Sequence, residues 1–424
     1  MPRERNRQFK QWLSRPPRPH GAIVFDRRVS FLEVFYDLAY VAVIGQASHQ
    51  LAEHISVRGV IEFAIIFGLI WFAWINGSLY VELHGSEDGR TRNIVFVQMC
   101  LLVLLAVFTA GAADRDGTAF SVVYSAFLLF MTWLWYTVRD QDRDRPEFLA
   151  VTGRYVVAMA ASAAVILGSG FLTAEPRLLI WAAFAVAWFG GLLVVRRGQG
   201  ALSLGTAATD SLVERFGTFI IIVLGEVVLG VVAGLVSAER DGMTIAVGLL
   251  ALWIGFGFWW IYFDLVGRRL PRNGAALTNW VLSHFPITLS IVAAGAALVS
   301  LIGHARDARA PEATAWLLGG AVALGLLALI VTGQSLVDAE RLFSVYRPLS
   351  VVLAIGAVAA LVVGWVRPAP WLLAVLLIAV LSALWAFAVL RFLSADAWGA
   401  GPEAVDGATL QGDGLIPSKA AENN

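Results

Sequence analysis

The sequence predicts an all-α fold: a polytopic integral membrane helix bundle of about 12 transmembrane helices in two parallel six-helix repeats. Three observations lead there. The 424 residues are 58% hydrophobic and only 15% charged, with a mean hydropathy of +0.73; a soluble chain of this length would carry more charge on its surface. The apolar residues fall in blocks of about twenty, the length that ~30 Å of hydrocarbon requires of a helix. Stretches on either side of the midpoint also resemble each other.

The chain opens with a basic arm, residues 1–29, "MPRERNRQFKQWLSRPPRPHGAIVFDRR…". It has no apolar run before Ser30, so it does not read as a cleavable signal peptide. Its prolines favour a disordered cytoplasmic segment over an amphipathic helix lying on anionic lipid. The first membrane repeat, 30–195, is expected to hold spans at 30–53, 57–80, 94–112, 118–137, 149–172 and 177–195. A glycine-containing loop at 196–210 divides the halves. The second repeat, 211–393, then holds spans at 211–236, 242–265, 279–302, 313–333, 348–366 and 369–393. The Gly/Ala/Asp-rich tail, 394–424, reads as a disordered cytoplasmic segment.

Orientation follows from the loops. Twenty-two Lys and Arg residues, eight of them in the arm, fall on the side of the termini, and seven fall on the other. Both termini are therefore expected in the cytoplasm, with the bilayer as the chain's partner.

The repeat rests on constant offsets. "LEVFYDLAYVAVIGQ" matches "VERFGTFIIIVLGE", setting Glu33 on Glu214, Phe35 on Phe216 and, after a one-residue slip, Gly45 on Gly225. Trp71, Tyr80, Glu82 and Gly85 recur 182 positions later as Trp253, Tyr262, Asp264 and Gly267. Six spans per half is an even number, so the repeats should be parallel and related by an axis along the membrane normal.

The ionisable residues inside the spans direct attention to function, since each costs ~2.5–3.5 kcal/mol at a helix centre and is kept for use. Glu33, Asp37, Arg154, Glu214, Arg215 and His284 fall in the cytoplasmic third of their spans, and Glu226 near the middle. On span 1, Ser30, Glu33, Asp37, Tyr40 and Ser48 project to one side. On span 7, Arg215 and Glu226 share a face about 16 Å apart. Interfacial anchoring is an alternative reading for Glu33, Arg154, Glu214 and Arg215. It is weaker for Asp37, whose short side chain does not reach the headgroups, and it fails for Glu226. His284 is either a packing histidine or a functional one, and Pro286 beside it frees backbone carbonyls. Glu62 and His49 lie toward the outer face, and tryptophans such as Trp71, Trp74, Trp259 and Trp260 read as an aromatic belt. Gly190, Gly191, Gly255 and Gly257 suggest close helix contacts.

Other chemistries find no foothold. The single Cys100 excludes disulfides, iron–sulfur clusters and cysteine-ligated zinc. Six dispersed histidines offer no i,i+4 metal pair, and no phosphate-loop, HExxH, GxSxG or CxxC motif is present. No metal, cofactor or nucleic-acid partner is expected.

"LEVFYDLAYVAVIGQASHQL", "VERFGTFIIIVLGEVVLGV", "WWIYFD" and "LSHFPITLS" resemble the bacterial low temperature requirement A family, over about Ser30 to Arg391. The resemblance marks Glu33, Phe35, Asp37, His49, Glu214, Arg215, Phe216, Gly225, Glu226, Asp264 and His284 as characteristic positions. The chain departs from the family at Ser211, where a His is frequent, and at "YVELHG", where an Asn-Arg pair is frequent, so roles of those residues do not carry over. The family name records a growth phenotype and implies no reaction; the resemblance does imply that the membrane is the cytoplasmic membrane of a bacterium.

The expected site is a polar cavity open to the cytoplasm, lined by Asp37, Glu214, Arg215, Glu226 and His284, with Glu33, Tyr40 and Asp264 in support. Two halves with buried acids at their interface suit a secondary transporter. A membrane-embedded lipid-handling enzyme and a non-catalytic scaffold or sensor are the alternatives.

Overall fold

A computed structural model describes residues 12–13, 15–22, 24, 27–197, 208–272 and 274–395. Twelve long helices run through them: α1 (Phe31–Glu53), α2 (Val57–His84), α3 (Gly89–Thr109), α4 (Gly117–Val138), α5 (Pro146–Ser169), α6 (Ala174–Arg197), α7 (Asp210–Ser237), α8 (Gly242–Leu265), α9 (Ala275–Gly303), α10 (Glu312–Gln334), α11 (Phe343–Val366) and α12 (Pro370–Ser394). A single helical turn, Asp338–Arg341, precedes α11. No strand of two or more residues occurs among the described residues, whose only β feature is an isolated bridge between Pro271 and Leu336.

Ten of the helices are long and apolar enough to cross a membrane, the two others being α1 and α6. Helix α1 is polar at both ends, with Glu33 and Asp37 in its first two turns and Gln46, Ser48, His49 and Gln50 toward its last. The apolar residues are also distributed as in a lipid-solvated body. Phe96, Val107, Val186, Leu249, Ile355, Val358 and Leu390 face outward, while many serines and threonines and the charged Glu33, Asp37, Arg215 and Glu226 are turned in. The tail from residue 396 and loop residues 198–207 lie outside the described residues.

Local chemistry starts the helices where turns are needed. Ser30 and Glu33 form a capping box on α1, and Asp88, Thr209 and Asp241 accept first-turn amides of α3, α7 and α8. Pro146 and Pro370 occupy first positions, where a missing N–H is harmless. Helix α9 continues through Pro286, and Thr288 donates to the carbonyls of His284 and Phe285 in the turn around it.

The order of packing is the same in both halves. In the first, α1 rests on α2 and α3, α2 on α3, α3 on α4, α4 on α5, α5 on α6 and α6 on α2. In the second, α7 rests on α8 and α9, α8 on α9, α9 on α10, α10 on α11, α11 on α12 and α12 on α8. The pair α2–α4 lacks a counterpart of similar extent. Between the halves, α1 meets α7 and α9, and α9 also reaches α2 and α6. Tyr80 and Tyr262 are both buried, whereas Trp71 is buried and Trp253 half exposed.

Candidate functional site: a charged cluster where the halves meet

The first turns of α1 and α7 lie side by side at the arginine-rich end of the bundle. Arg215 extends from the second turn of α7 and forks onto α1, its Nη1 donating to Glu33 Oε2 at 2.5 Å and its Nη2 to Asp37 Oδ1 at 3.0 Å. All three groups are buried: Asp37 is 0%, Arg215 1% and Glu33 2% exposed. A planar guanidinium offers two separated N–H groups in a fixed fork that meets two carboxylates on successive turns, a geometry that the compact ammonium of a lysine matches less well. Trp74 Nε1 of α2 donates to the same Asp37 oxygen at 2.9 Å, and the Trp74 ring stacks on Phe219 of α7 at 3.9 Å. Trp71 and Trp74 are therefore interior residues rather than part of an interfacial belt, because Trp74 is the hydrogen-bond donor that a desolvated Asp37 requires.

A second acid joins from α2. Glu82 receives Ser211 Oγ at 2.6 Å and Thr209 Oγ1 at 3.0 Å, both from the start of α7, and pairs with Arg27. Arg27 also pairs with Glu33, whose Oε1 accepts from Ser30 Oγ at 2.9 Å. Sequence reasoning missed Arg27 and Glu82 as site residues. The usable signal was spatial: Glu82 ends α2 at the level where α1 and α7 begin. Above the cluster, Tyr36 OH and Tyr40 OH lie 2.9 Å apart, and Arg215 sits over the Tyr36 ring. Gly77 provides the room, since a Cβ there would lie 2.1 Å from Tyr36 OH.

The other anticipated residues do not join this cluster. Glu214 is exposed and accepts the Val29 amide at 3.1 Å. His284 is buried in a nest of its own, with Nδ1 donating to the Trp280 carbonyl at 2.6 Å, Nε2 accepting from Tyr262 OH at 2.9 Å, and Phe216 and Trp280 beside the ring. Asp264 accepts from Trp385 Nε1 of α12 at 2.7 Å. Arg154 is exposed, and His49 makes an exposed pair with Glu53.

Glu226 stands apart in another sense. It is 4% exposed and its Oε1 has no hydrogen-bond partner. Both carboxyl oxygens lie 3.3 Å from where a Gly45 Cβ would be, and the Glu226 carbonyl makes the same close approach to Gly295 of α9. Glycines thus let α1, α7 and α9 approach closely around an acid without a partner. Asp37, Arg215, Glu226 and His284 are all packed in this conformation rather than lining an open vestibule. Among the described residues, no cluster of three or more His, Cys, Asp or Glu has metal-site geometry.

Twelve long, mostly apolar helices, ten of them long and apolar enough to cross a membrane, define a polytopic α-helical membrane protein. The family model for the bacterial low temperature requirement A protein (LtrA) matches residues 28–386, and the chain belongs to that family. It is also 24% identical over 280 residues to uncharacterized protein RA0937 of Rhizobium meliloti (strain 1021), covering 62% of this chain and 67% of the relative. No solved structure matches.

Proposed function

We propose that the protein is a secondary transporter of the bacterial cytoplasmic membrane, in which two parallel six-helix repeats rock about the α1–α7 contact. The charged cluster is its closed cytoplasmic gate and Glu226 its proton-binding acid. The observation that carries this reading is the separation of two kinds of intramembrane acid on the same pair of helices. Glu33, Asp37 and Glu82 are tied by Arg215, Ser211 and Thr209 to the first two turns of α7. Glu226, eleven residues beyond Arg215, is buried without a tie. A gate has reason to be cross-linked between halves, and a coupling site has reason to be free.

The recurrence of the packing order supports duplication, and transporters built from such halves bind their cargo at the interface. The excess of Lys and Arg on the gated side supports a cytoplasmic assignment. A static scaffold accounts for the ion pairs equally well, but has no use for an unpaired acid, whose burial is costly and whose replacement would be neutral or stabilising.

The test is uptake into proteoliposomes under an imposed pH gradient, screened against metabolite pools with an internal pH dye. Glu226→Gln keeps the shape of the side chain and removes its titrating proton. It is expected to fold normally and to abolish proton-coupled flux. Normal flux in Glu226→Gln together with loss in Glu33→Gln would move the site to the membrane surface and end this proposal.

A further inference from the structure

We infer that the N-terminal arm is a latch: docked through His20 and Arg18, it supplies the positive charge that holds the cytoplasmic gate shut. The inference rests on the gate reading above and adds a regulator to it.

The arm was expected to be a disordered segment, yet its described residues are built into the end of the bundle. His20 is 1% exposed. Its Nδ1 lies 2.5 Å from Asp142 Oδ2, and its backbone amide donates to Asp142 Oδ1 at 3.1 Å, so one buried carboxylate holds both ring and main chain. The imidazole stacks on Phe148 and meets His84 edge to face, and Arg145 donates to the His20 carbonyl. Two residues earlier, Arg18 exchanges main-chain hydrogen bonds with His84: its amide donates to the His84 carbonyl at 3.2 Å, and its own carbonyl accepts from His84 Nδ1 at 2.7 Å. This pocket is made by the end of α2, Trp135 at the end of α4, the α4–α5 connection and the start of α5, all in the first half.

From that anchor the arm reaches the gate. Arg27 pairs with Glu33 and Glu82, and the Val29 amide donates to Glu214 of α7, in the second half. Arg18 Nη2 donates to the Glu82 carbonyl at 2.5 Å, and its charge is felt by both the Glu82 and Glu33 carboxylates. The charge count of the gate then becomes instructive. Three acids, Glu33, Asp37 and Glu82, face three cations, Arg215, Arg27 and Arg18, and only Arg215 belongs to the membrane helices. The arm brings the other two. With the arm lifted, Glu82 loses its cation and Glu33 one of its two, and Arg215 is left as the single cation among three carboxylates. Carboxylates in that position repel one another and draw in solvent, which pulls the ends of α1 and α2 from α7. A segment held at one end to the first half and at the other to the second is placed to restrain rocking between them.

Hydrogen–deuterium exchange on the full-length protein in lipid nanodiscs tests this without requiring a known substrate. His20→Ala removes the anchor while leaving every gate residue in place, and Asp142→Asn keeps the shape of the pocket while removing its charge. Both are expected to raise exchange about ten-fold or more in peptides covering 27–37 and 209–216, the scale of losing one or two buried charged hydrogen bonds. Peptides covering 312–324, at the opposite end, should be unchanged. If exchange rises only within 15–22, the arm is decoration and the latch is refuted; unchanged exchange everywhere refutes it as well. Should His20→Ala fail to fold, Asp142→Asn decides alone by the same peptides. Normal proton-coupled flux in Glu226→Gln, with exchange rising in 27–37 and 209–216 as expected, would remove the transporter and leave the latch.

Discussion

Replacing Arg215 by methionine is the most severe test of the cluster's construction. The substitution keeps an unbranched, apolar stem in the second turn of α7 but removes the cation that both Glu33 and Asp37 contact. Asp37 keeps only the Trp74 indole, and Glu33 keeps Arg27 and Ser30. Breaking a buried ion pair from one side costs about 3–5 kcal/mol, because a desolvated charge is left behind. Asp37, 0% exposed and without a second cation, puts the expected loss in the upper part of that range. Arg215→Lys should lose less, since an ammonium keeps the positive charge between the two carboxylates but not the fork that reaches both at hydrogen-bonding distance. The triple variant Glu33→Gln/Asp37→Asn/Arg215→Met removes both signs of charge together and should be more stable than Arg215→Met alone. Equilibrium unfolding in detergent mixed with sodium dodecyl sulfate, followed by circular dichroism, measures all three. An Arg215→Met protein as stable as wild type, or a triple variant weaker than the single one, would refute the account of the cluster as a mutually compensated buried charge group.

Three further outcomes follow from the same geometry. Gly77→Ala puts a Cβ 2.1 Å from Tyr36 OH in a fully packed interior and should cost about 1–3 kcal/mol, read by the same unfolding assay. Reporter fusions after Arg28 and after Ser394 should both report cytoplasm, and one within 237–241 the outside; a C-terminal fusion reporting outside would overturn the orientation. The Asp241 carboxyl, outside the membrane, is held below the usual carboxylate range mainly by the Thr244 amide, with the Met243 amide and Arg306 adding to it. The start of α8 should therefore lose protection as pH falls from the ordinary carboxylate value through the lowered one. Asp241→Asn should abolish that dependence in exchange measurements on residues 242–248.

The helices were legible because the bilayer imposes one rule on every segment, that about twenty apolar residues must be consecutive, and hydropathy reads that rule directly. The acids were legible as anomalies for the same reason. Their partners were not. Nothing in the run "SLVERFGTF" indicates whether Arg215 turns toward headgroups or toward α1, because both directions satisfy a guanidinium near a helix end. Glu33 and Glu214 occupy matched positions in the sequence, yet the first is buried and the second exposed. The difference lies in which helix each faces, a property of packing that an offset of 181 residues cannot encode. His284 illustrates the opposite case. Its neighbour four residues back supplies the carbonyl that fixes the ring, so a local contact accounts for half of its bonding, while Tyr262 arrives from α8.

The proposed duplication would account for acids at the start of both halves, and asymmetry for their unlike behaviour. On that proposal, a duplicated helix pair begins with two copies of the same first turn, each with an acid near its start. At the contact between the copies, two equivalent buried carboxylates would repel each other with nothing to neutralise them. The chain resolves this by divergence: α1 adds Asp37, α7 adds Arg215 beside its own acid, and Glu214 is left facing outward. One helix becomes the anionic partner and the other the cationic one, so the α1–α7 contact is a heterologous junction laid over a similar packing order. The same divergence puts Glu226 on α7 against Gly45 on α1, where an acid on both helices would again have repelled. An exchange experiment follows from this: Gly45→Ala sets a Cβ 3.3 Å from both Glu226 carboxyl oxygens, and Gly45→Asp adds a second carboxylate at the same place; the Asp variant should be the less stable of the two, and adding Glu226→Gln to both should remove most of the difference between them.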